Sequence, residues 1–326
     1  MKILLTGASG FVGSHILDSL RARGLDTVLL LRPTSNTQFI ASHLPEVEQR
    51  PGSISDPESL RPAMAGITHV IHCAGATKAS RVSGFYEVNH AGTRNVVNAV
   101  NAQGGQVQRL VHISSLAAAG PALREAPARE VNPPRPVSEY GKSKLAGELE
   151  VRNHCRAEHV ILRPPAVYGP RDAEFLRLFK AVKSHVLPKP SNAQALSLVF
   201  VQDLAEAVVT CLTHPTAVGQ TYFVASREIV TARRMAEEVA DQMSVWTLPL
   251  PVPTALFWLM CLGGEVSARV TGKPSVLSLQ KFAELRAPGW VCDPTRLARE
   301  TGCTCPTTFR AGAAQTLAWY QQHHWL

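Results

Sequence analysis

The chain opens on five residues of strand character, Lys2–Thr6, and runs straight into Thr6-Gly7-Ala8-Ser9-Gly10-Phe11-Val12-Gly13-Ser14. Three glycines spaced by three, set between a strand and an amphipathic stretch, leave few folds open. A side chain at such positions obstructs a tight strand-to-helix turn and keeps backbone N–H groups away from a phosphate. The helix that follows brings the positive end of its dipole to the same place. The turn therefore implies a βαβ unit cradling a dinucleotide diphosphate, with Gly7, Gly10, Phe11, Val12 and Gly13 as contacts.

The pattern that follows extends this unit. Short apolar runs at Thr27–Leu31, His69–Cys73, Arg109–Ser114 and His159–Leu162 predict strands, separated by amphipathic stretches at Gly13–Arg23, Tyr86–Asn101 and Glu139–His154. Such alternation predicts an α/β fold, a Rossmann doubly wound parallel sheet. The regularity degrades after Pro164. A strand–helix piece over Leu198–Leu212, a strand over Gln220–Ala225 and a last helix near Ala311–His323 are expected beyond it. Residues 1–165 are taken as a nucleotide-binding domain to which 198–225 return. Residues 166–197 and 226–326 are taken as a smaller, partly helical substrate lobe with an apolar, proline-punctuated cap over Pro249–Arg286.

The second strand ends in Arg32, followed by Pro33-Thr34-Ser35, where NAD-preferring sites carry a carboxylate for the ribose 2′-hydroxyl. A carboxylate repels a 2′-phosphate, whereas a guanidinium grips it through paired hydrogen bonds. NADP(H) is accordingly expected over NAD(H), which stays possible. The formal charge of +8, from 33 Lys and Arg against 25 Asp and Glu, is scattered without a dense basic run, so no nucleic-acid partner is expected. Seven cysteines at irregular spacing suit reduced thiols, Cys303-Thr-Cys305 lacks the partners of a zinc site, and no metal is expected. The strand at the N-terminus leaves no room for a signal peptide, and prolines break the most apolar stretch, Val245–Leu262. A cytoplasmic location is expected. A homodimer and a membrane contact through the apolar cap stay open.

Ser138-Glu139-Tyr140-Gly141-Lys142-Ser143-Lys144 puts Tyr140 and Lys144 on one face of a helix. A free phenol titrates near pH 10, so a tyrosine working near neutrality needs help, and a neighbouring ammonium favours the phenolate. The strand ending Ile113-Ser114-Ser115 delivers Ser115 to the carboxyl edge of the sheet, where such folds bind ligands. His72 and His112, by contrast, fit a core role with satisfied partners. Thr77 and Lys78 follow a strand end and are candidate substrate contacts.

With His72-Cys73-Ala74-Gly75, Tyr86-Glu87-Val88-Asn89 leading to Gly92-Thr93, and Leu162-Arg163-Pro164-Pro165-Ala166-Val167-Tyr168-Gly169-Pro170 added in order, the chain resembles the extended short-chain dehydrogenase/reductases, also called NAD-dependent epimerase/dehydratases. The resemblance covers residues 1 to about 225 well. It implies Ser115, Tyr140 and Lys144 as the catalytic triad, with Tyr140 and Lys144 also touching cofactor. It implies Ala74 and Gly75 along the cofactor, and Pro164 to Val167 beside the nicotinamide. Three departures narrow it. Ser53 stands where the family holds the adenine with an aspartate. Ser115-Leu116-Ala117 replaces the Thr-Asp-Glu of the sugar-nucleotide 4,6-dehydratases, and Ala166 replaces the asparagine of the galactose-type epimerases. The apolar C-terminal part, ending in Ala287-Pro288-Gly289-Trp290, resembles the 3β-hydroxysteroid dehydrogenase and dihydroflavonol reductase branch. The expectation is an NADP(H)-dependent oxidoreductase acting on a secondary alcohol or ketone of an apolar small molecule. A sugar-nucleotide epimerase with retained cofactor, and a non-catalytic NADP(H)-binding sensor, remain as alternatives.

Overall fold

The computed structural model describes residues 1–190, 194–252, 258, 259, 261–264, 267 and 279–326. Strands β1 (Lys2–Thr6), β2 (Asp26–Leu31), β3 (Glu48–Pro51), β4 (His69–His72), β5 (Arg109–Ile113) and β6 (Glu158–Arg163) join a late strand, β10 (Thr221–Phe223), in one parallel sheet. Its order is β10-β6-β5-β4-β1-β2-β3. Both faces are covered, and this is why the strands read as continuous apolar runs. Ile3 and Leu5 of β1 point to one side, against Ile16, Leu17 and Leu20 of α1 (Phe11–Ala22) and Leu204 and Val208 of a later helix, α8 (Val201–Thr213). Leu4 points to the other, among Leu60 of α2 (Pro57–Ala63), Val96 and Val97 of α4 (Gly92–Asn101) and Val151 of α6 (Glu139–His154). The strand order reverses between β1 and β4, so their carboxyl ends open a crevice there, the usual ligand position in this architecture.

The single helix predicted over Tyr86–Asn101 is built in three pieces. A short α3 (Val82–Tyr86) passes through one π turn at Glu87–Ala91 into α4. The wide turn aims Asn89 inward, and π turns are frequent at functional sites.

Beyond Pro164 the chain builds the second wall of the crevice. Strand β7 (Ala166–Tyr168) and β13 (Gly289–Trp290) run parallel to β9 (Ala195–Phe200), and β11 (Ile229–Thr231) runs antiparallel to it. A separate pair, β8 (Val186–Pro190) and β12 (Leu248–Val252), runs parallel. Phe179 of α7 (Leu176–Lys183), Met235 and Val239 of α9 (Ala232–Met243), and Phe309 and Tyr320 of α12 (Phe309–Gln322) enclose Phe200 in the core of this lobe. Short helices α5 (Leu116–Ala119), α10 (Leu279–Arg286) and α11 (Thr295–Thr301) complete the described elements used below. Much of the apolar cap, including residues 253–257 and 268–278, lies outside the described residues. No helix among the described residues is long and apolar enough to cross a membrane, and none of the seven cysteines is in a disulfide.

Candidate active site

The glycine turn is a cradle that only glycine permits. Gly7 has φ +78°, and a Cβ there would lie 2.6 Å from the Ala74 nitrogen. At Gly13 a Cβ would lie 2.1 Å from the Gly7 carbonyl oxygen, inside any possible contact. The turn closes through Gly10 N–H donating to the Gly7 carbonyl at 3.0 Å, and Ser14 N–H to the Gly10 carbonyl at 2.9 Å. The first N–H groups of α1 are thereby left facing the crevice. No side chain caps them, which suits an anion.

The crevice is a cleft of about 1480 Å³ that runs from this turn into the second lobe. Every residue singled out from the sequence lines it: Gly7, Gly10, Phe11, Val12, Gly13, Arg32, Ala74, Gly75, Ser115, Tyr140, Lys144, Pro164 and Val167. Thr77 and Lys78 line it too, with Lys78 ion-paired to Glu174 across the cleft. At its far end Arg32 is exposed and has no side-chain partner among the described residues, its backbone N–H donating to Ser35 Oγ at 3.1 Å. Ser35, Gly52, Ser53 and Ser55 line the cleft as well. Asp56, which follows Ser55, caps α2 by accepting from Glu58 N–H.

Two helix caps set the reactive groups. Ser138 Oγ accepts from Gly141 N–H at 3.1 Å and starts α6, so Tyr140 stands in its first turn and Lys144 one turn on. Ser115 Oγ accepts from Ala117 N–H at 3.1 Å, starts α5 and stands beside the Tyr140 hydroxyl, favouring its ionised form. Burial pushes the Tyr140 phenol up to about 12; the neighbouring Ser115 hydroxyl opposes this and the Glu284 carboxylate of α10 adds to it. Burial lowers the Lys144 ammonium to about 8, against the Cys73 sulfur and the Glu148 carboxylate. The ammonium–phenol coupling expected from sequence is not the contact built here. Lys144 Nζ donates to the Ile113 carbonyl at 2.6 Å and lies 3.5 Å from where a Gly75 Cβ would be. Asn89 fastens the floor: its Oδ1 accepts from Ala76 N–H at 2.8 Å, and its Nδ2 donates to the Ala76 carbonyl and to Ser143 Oγ, each at 2.9 Å.

Behind this surface lies an ion pair that sequence reading missed. Glu148 and Arg163, 0% and 1% exposed, share two hydrogen bonds of 2.8 and 2.6 Å, and Ser114 Oγ donates to Glu148 at 2.5 Å. The cluster ties α6 to the ends of β5 and β6, one residue from Ser115 and one turn from Lys144. Its only sequence signal was two charges in otherwise buried segments. His72 has the satisfied core role expected, paired with Thr6 at 2.8 Å and Thr93 at 3.1 Å. His112 does not. It is buried against the His72 ring at 5.2 Å, and neither ring nitrogen has a partner among the described residues. Burial holds both imidazoles well below their ordinary value, so both are neutral.

The second-lobe wall of the cleft carries an apolar stretch among polar residues that include Gln194, Ser197 and Glu284. Phe175 and Leu178 come from the α7 region, Leu196 from β9, Ala232 and Ala236 from α9, and Phe282, Leu285 and Trp290 from the chain around α10. The indole N–H of Trp290 donates to the Glu284 carbonyl at 2.9 Å, which holds it flat in the wall. Arg171 and Trp325 also line the cleft, at the end nearer α1.

The model of the NAD dependent epimerase/dehydratase family matches residues 3–225. The chain belongs to that family. It is an NAD(P)-dependent enzyme of the extended short-chain dehydrogenase/reductase type. It is 31% identical to a ceramide reductase of Caulobacter vibrioides, over 99% of this chain and 96% of that one. It is also 31% identical to a UDP-glucose 4-epimerase of Vibrio cholerae, over 83% of this chain and 85% of the relative. Among solved structures, a UDP-glucose 4-epimerase of Thermus thermophilus in complex with NAD is similar with a TM-score of 0.77 at 25% identity, over 98% and 99% of the two chains.

Proposed function

We propose that this family member is an NADP(H)-dependent oxidoreductase that moves hydride between nicotinamide and a secondary alcohol or ketone on an apolar substrate. One observation carries the reading: the Ser115 and Tyr140 hydroxyls sit together where the nucleotide cleft opens onto a largely apolar wall. An apolar wall with a few convergent polar groups recognises an apolar molecule bearing one polar centre. The ceramide reductase relative supports a reductase acting on such a molecule.

The Gly7–Gly13 cradle fits a diphosphate, and the unpartnered Arg32 fits a 2′-phosphate. When bound, the dinucleotide would supply the hydride. The protein's own groups then divide the rest. Tyr140, protonated at neutral pH because burial raises it, gives its proton to the carbonyl oxygen during reduction. Ser115 donates to the same oxygen. Lys144 keeps its cation beside Gly75 with donors to spare beyond the Ile113 carbonyl, available to ribose hydroxyls. Leu116 and Ala117 follow Ser115 with no carboxylate, so the acid and base that water elimination needs are missing from that turn.

The test is Tyr140→Phe together with an analysis of nucleotide carried through purification. The reading expects NADPH that exchanges freely with solution, ketone reduction by the wild type, and loss of turnover without loss of nucleotide binding in the variant. A retained NAD that does not exchange would reverse the conclusion in favour of the epimerase relatives.

A further inference from the structure

Four non-glycine residues among those described have a positive φ, a backbone region disfavoured by any Cβ. Two of them, Arg171 (φ 72°) and His324 (φ 56°), lie at the cleft: Arg171 lines it, and His324 precedes Trp325, which lines it as well. Strain of this kind persists where the surroundings hold a side chain to a task. Arg171 reaches from the second lobe to α1. Its Nη1 donates to Ser14 Oγ at 3.0 Å and to Asp18 Oδ2 at 2.7 Å, and Asp18 is held in turn by His43 at 2.7 Å. Its Nε and Nη2 have no partner among the described residues, while the residue lines the cleft. The left-handed turn at His324 sends the chain back on itself, and Trp325 N–H donates to the Tyr320 carbonyl at 2.8 Å. That turn lays the Trp325 indole against Phe39, with ring centroids 6.0 Å apart, and both residues line the cleft. Phe39 belongs to the loop after β2, the loop that carries Arg32. The two contacts thus join the second lobe to the nucleotide-binding half, one at α1 and one in the segment after β2.

We propose that Arg171 and Trp325 form a clasp over the dinucleotide's diphosphate. Arg171 donates its free N–H groups to the phosphate oxygens, and the Trp325–Phe39 contact obstructs the exit. A guanidinium pre-set by a carboxylate and a hydroxyl loses little freedom on meeting an anion, and charge-assisted bonds to phosphate are among the strong ones. The inference rests on the proposed function only for the presence of a dinucleotide. The diphosphate is common to NADH and NADPH, so the clasp can be tested with whichever binds.

The experiment follows release of NADPH and NADH from the full-length protein by stopped-flow fluorescence, for wild type, Arg171→Gly and Trp325→Ala. Binding of adenosine 2′-monophosphate, which has no diphosphate, is measured in parallel. Glycine is chosen at 171 because it accepts the left-handed backbone, and thermal melting confirms that the variant folds. The expected result is release at least about tenfold faster in Arg171→Gly, the loss of one charge-assisted bond, with adenosine 2′-monophosphate binding unchanged. Trp325→Ala is expected to speed both release and entry. Unchanged release in either variant overturns the clasp, as does an equal loss for adenosine 2′-monophosphate, which would assign Arg171 to the 2′-phosphate. A wild type that binds neither dinucleotide overturns both the clasp and the proposed function; one that binds and is indifferent to both substitutions overturns the clasp alone.

Discussion

Glu148→Gln tests whether the buried ion pair behind the active site holds its geometry. The substitution keeps the side chain's size and one acceptor but removes its charge. Arg163, 1% exposed, is then left without a counter-ion, and the cation–π contact to Phe223 at 5.8 Å does not replace it. Breaking one partner of a buried pair costs about 3–5 kcal/mol. For a chain of this size that corresponds to a fall in Tm of about 4–7 °C. A stability loss alone would be merely structural, so a second readout is needed. The Glu148 carboxylate favours the charged form of Lys144, which burial has already brought down to about 8. Without it the Lys144 ammonium deprotonates at lower pH, and the limb of the kcat/KM profile that requires the cation moves to lower pH. Chemical melts and a pH–rate profile check both effects. The double substitution Glu148→Gln with Arg163→Met should recover much of the stability, because no buried uncompensated charge remains and Arg152, the other cation near Glu148, is exposed, yet keep the shifted pH profile. An unmoved profile in both variants would refute the reasoning, whatever the melts show.

Gly13→Ala places a Cβ 2.1 Å from the Gly7 carbonyl, against backbone that cannot swing aside; nucleotide binding should be lost by fluorescence titration, and undiminished binding would contradict the cradle. Arg32→Glu should weaken NADPH by at least about tenfold and leave NADH untouched, read by isothermal titration; equal effects on both nucleotides would remove Arg32 from the 2′-phosphate. Asp172, 4% exposed, has one carboxylate oxygen without a partner among the described residues, and burial raises it to about 6. A raised folded pKa means its stabilisation is full below about 4 and disappears as pH rises through 6. Asp172→Asn should therefore gain on the wild type by roughly 2–3 kcal/mol between pH 4 and pH 7. His15, lowered to about 4, titrates oppositely but is common to both proteins, so a pH-independent difference in urea melts would refute the assignment.

The parts legible in the sequence are those in which one local rule governs many residues. Strand β1, the glycine turn and α1 follow from side-chain period and from the space a Cβ occupies. Tyr140 and Lys144 share a face because a helix repeats every 3.6 residues. The long helix expected before β5 differs in form because periodicity does not reveal a single wide turn. The pattern of the late strand β10 points back to the first half of the chain, but its place beside β6 at the sheet edge is a fact of three-dimensional pairing.

What the sequence determined by itself was the parallel α/β sheet, the glycine turn and the choice of residues proposed for the reacting centre. Each depends on neighbours within a few residues. Tertiary structure alone decided which charges meet and what they do. Glu148 finds Arg163, Arg171 finds Ser14 and Asp18, Trp325 finds Phe39, and Lys144 spends a donor on the Ile113 carbonyl rather than on Tyr140. Those contacts join residues far apart in the chain, and burial sets the protonation of Tyr140, Lys144 and Asp172 through solvent excluded by the whole fold. No local pattern carries that information, because desolvation is a property of everything packed around a group.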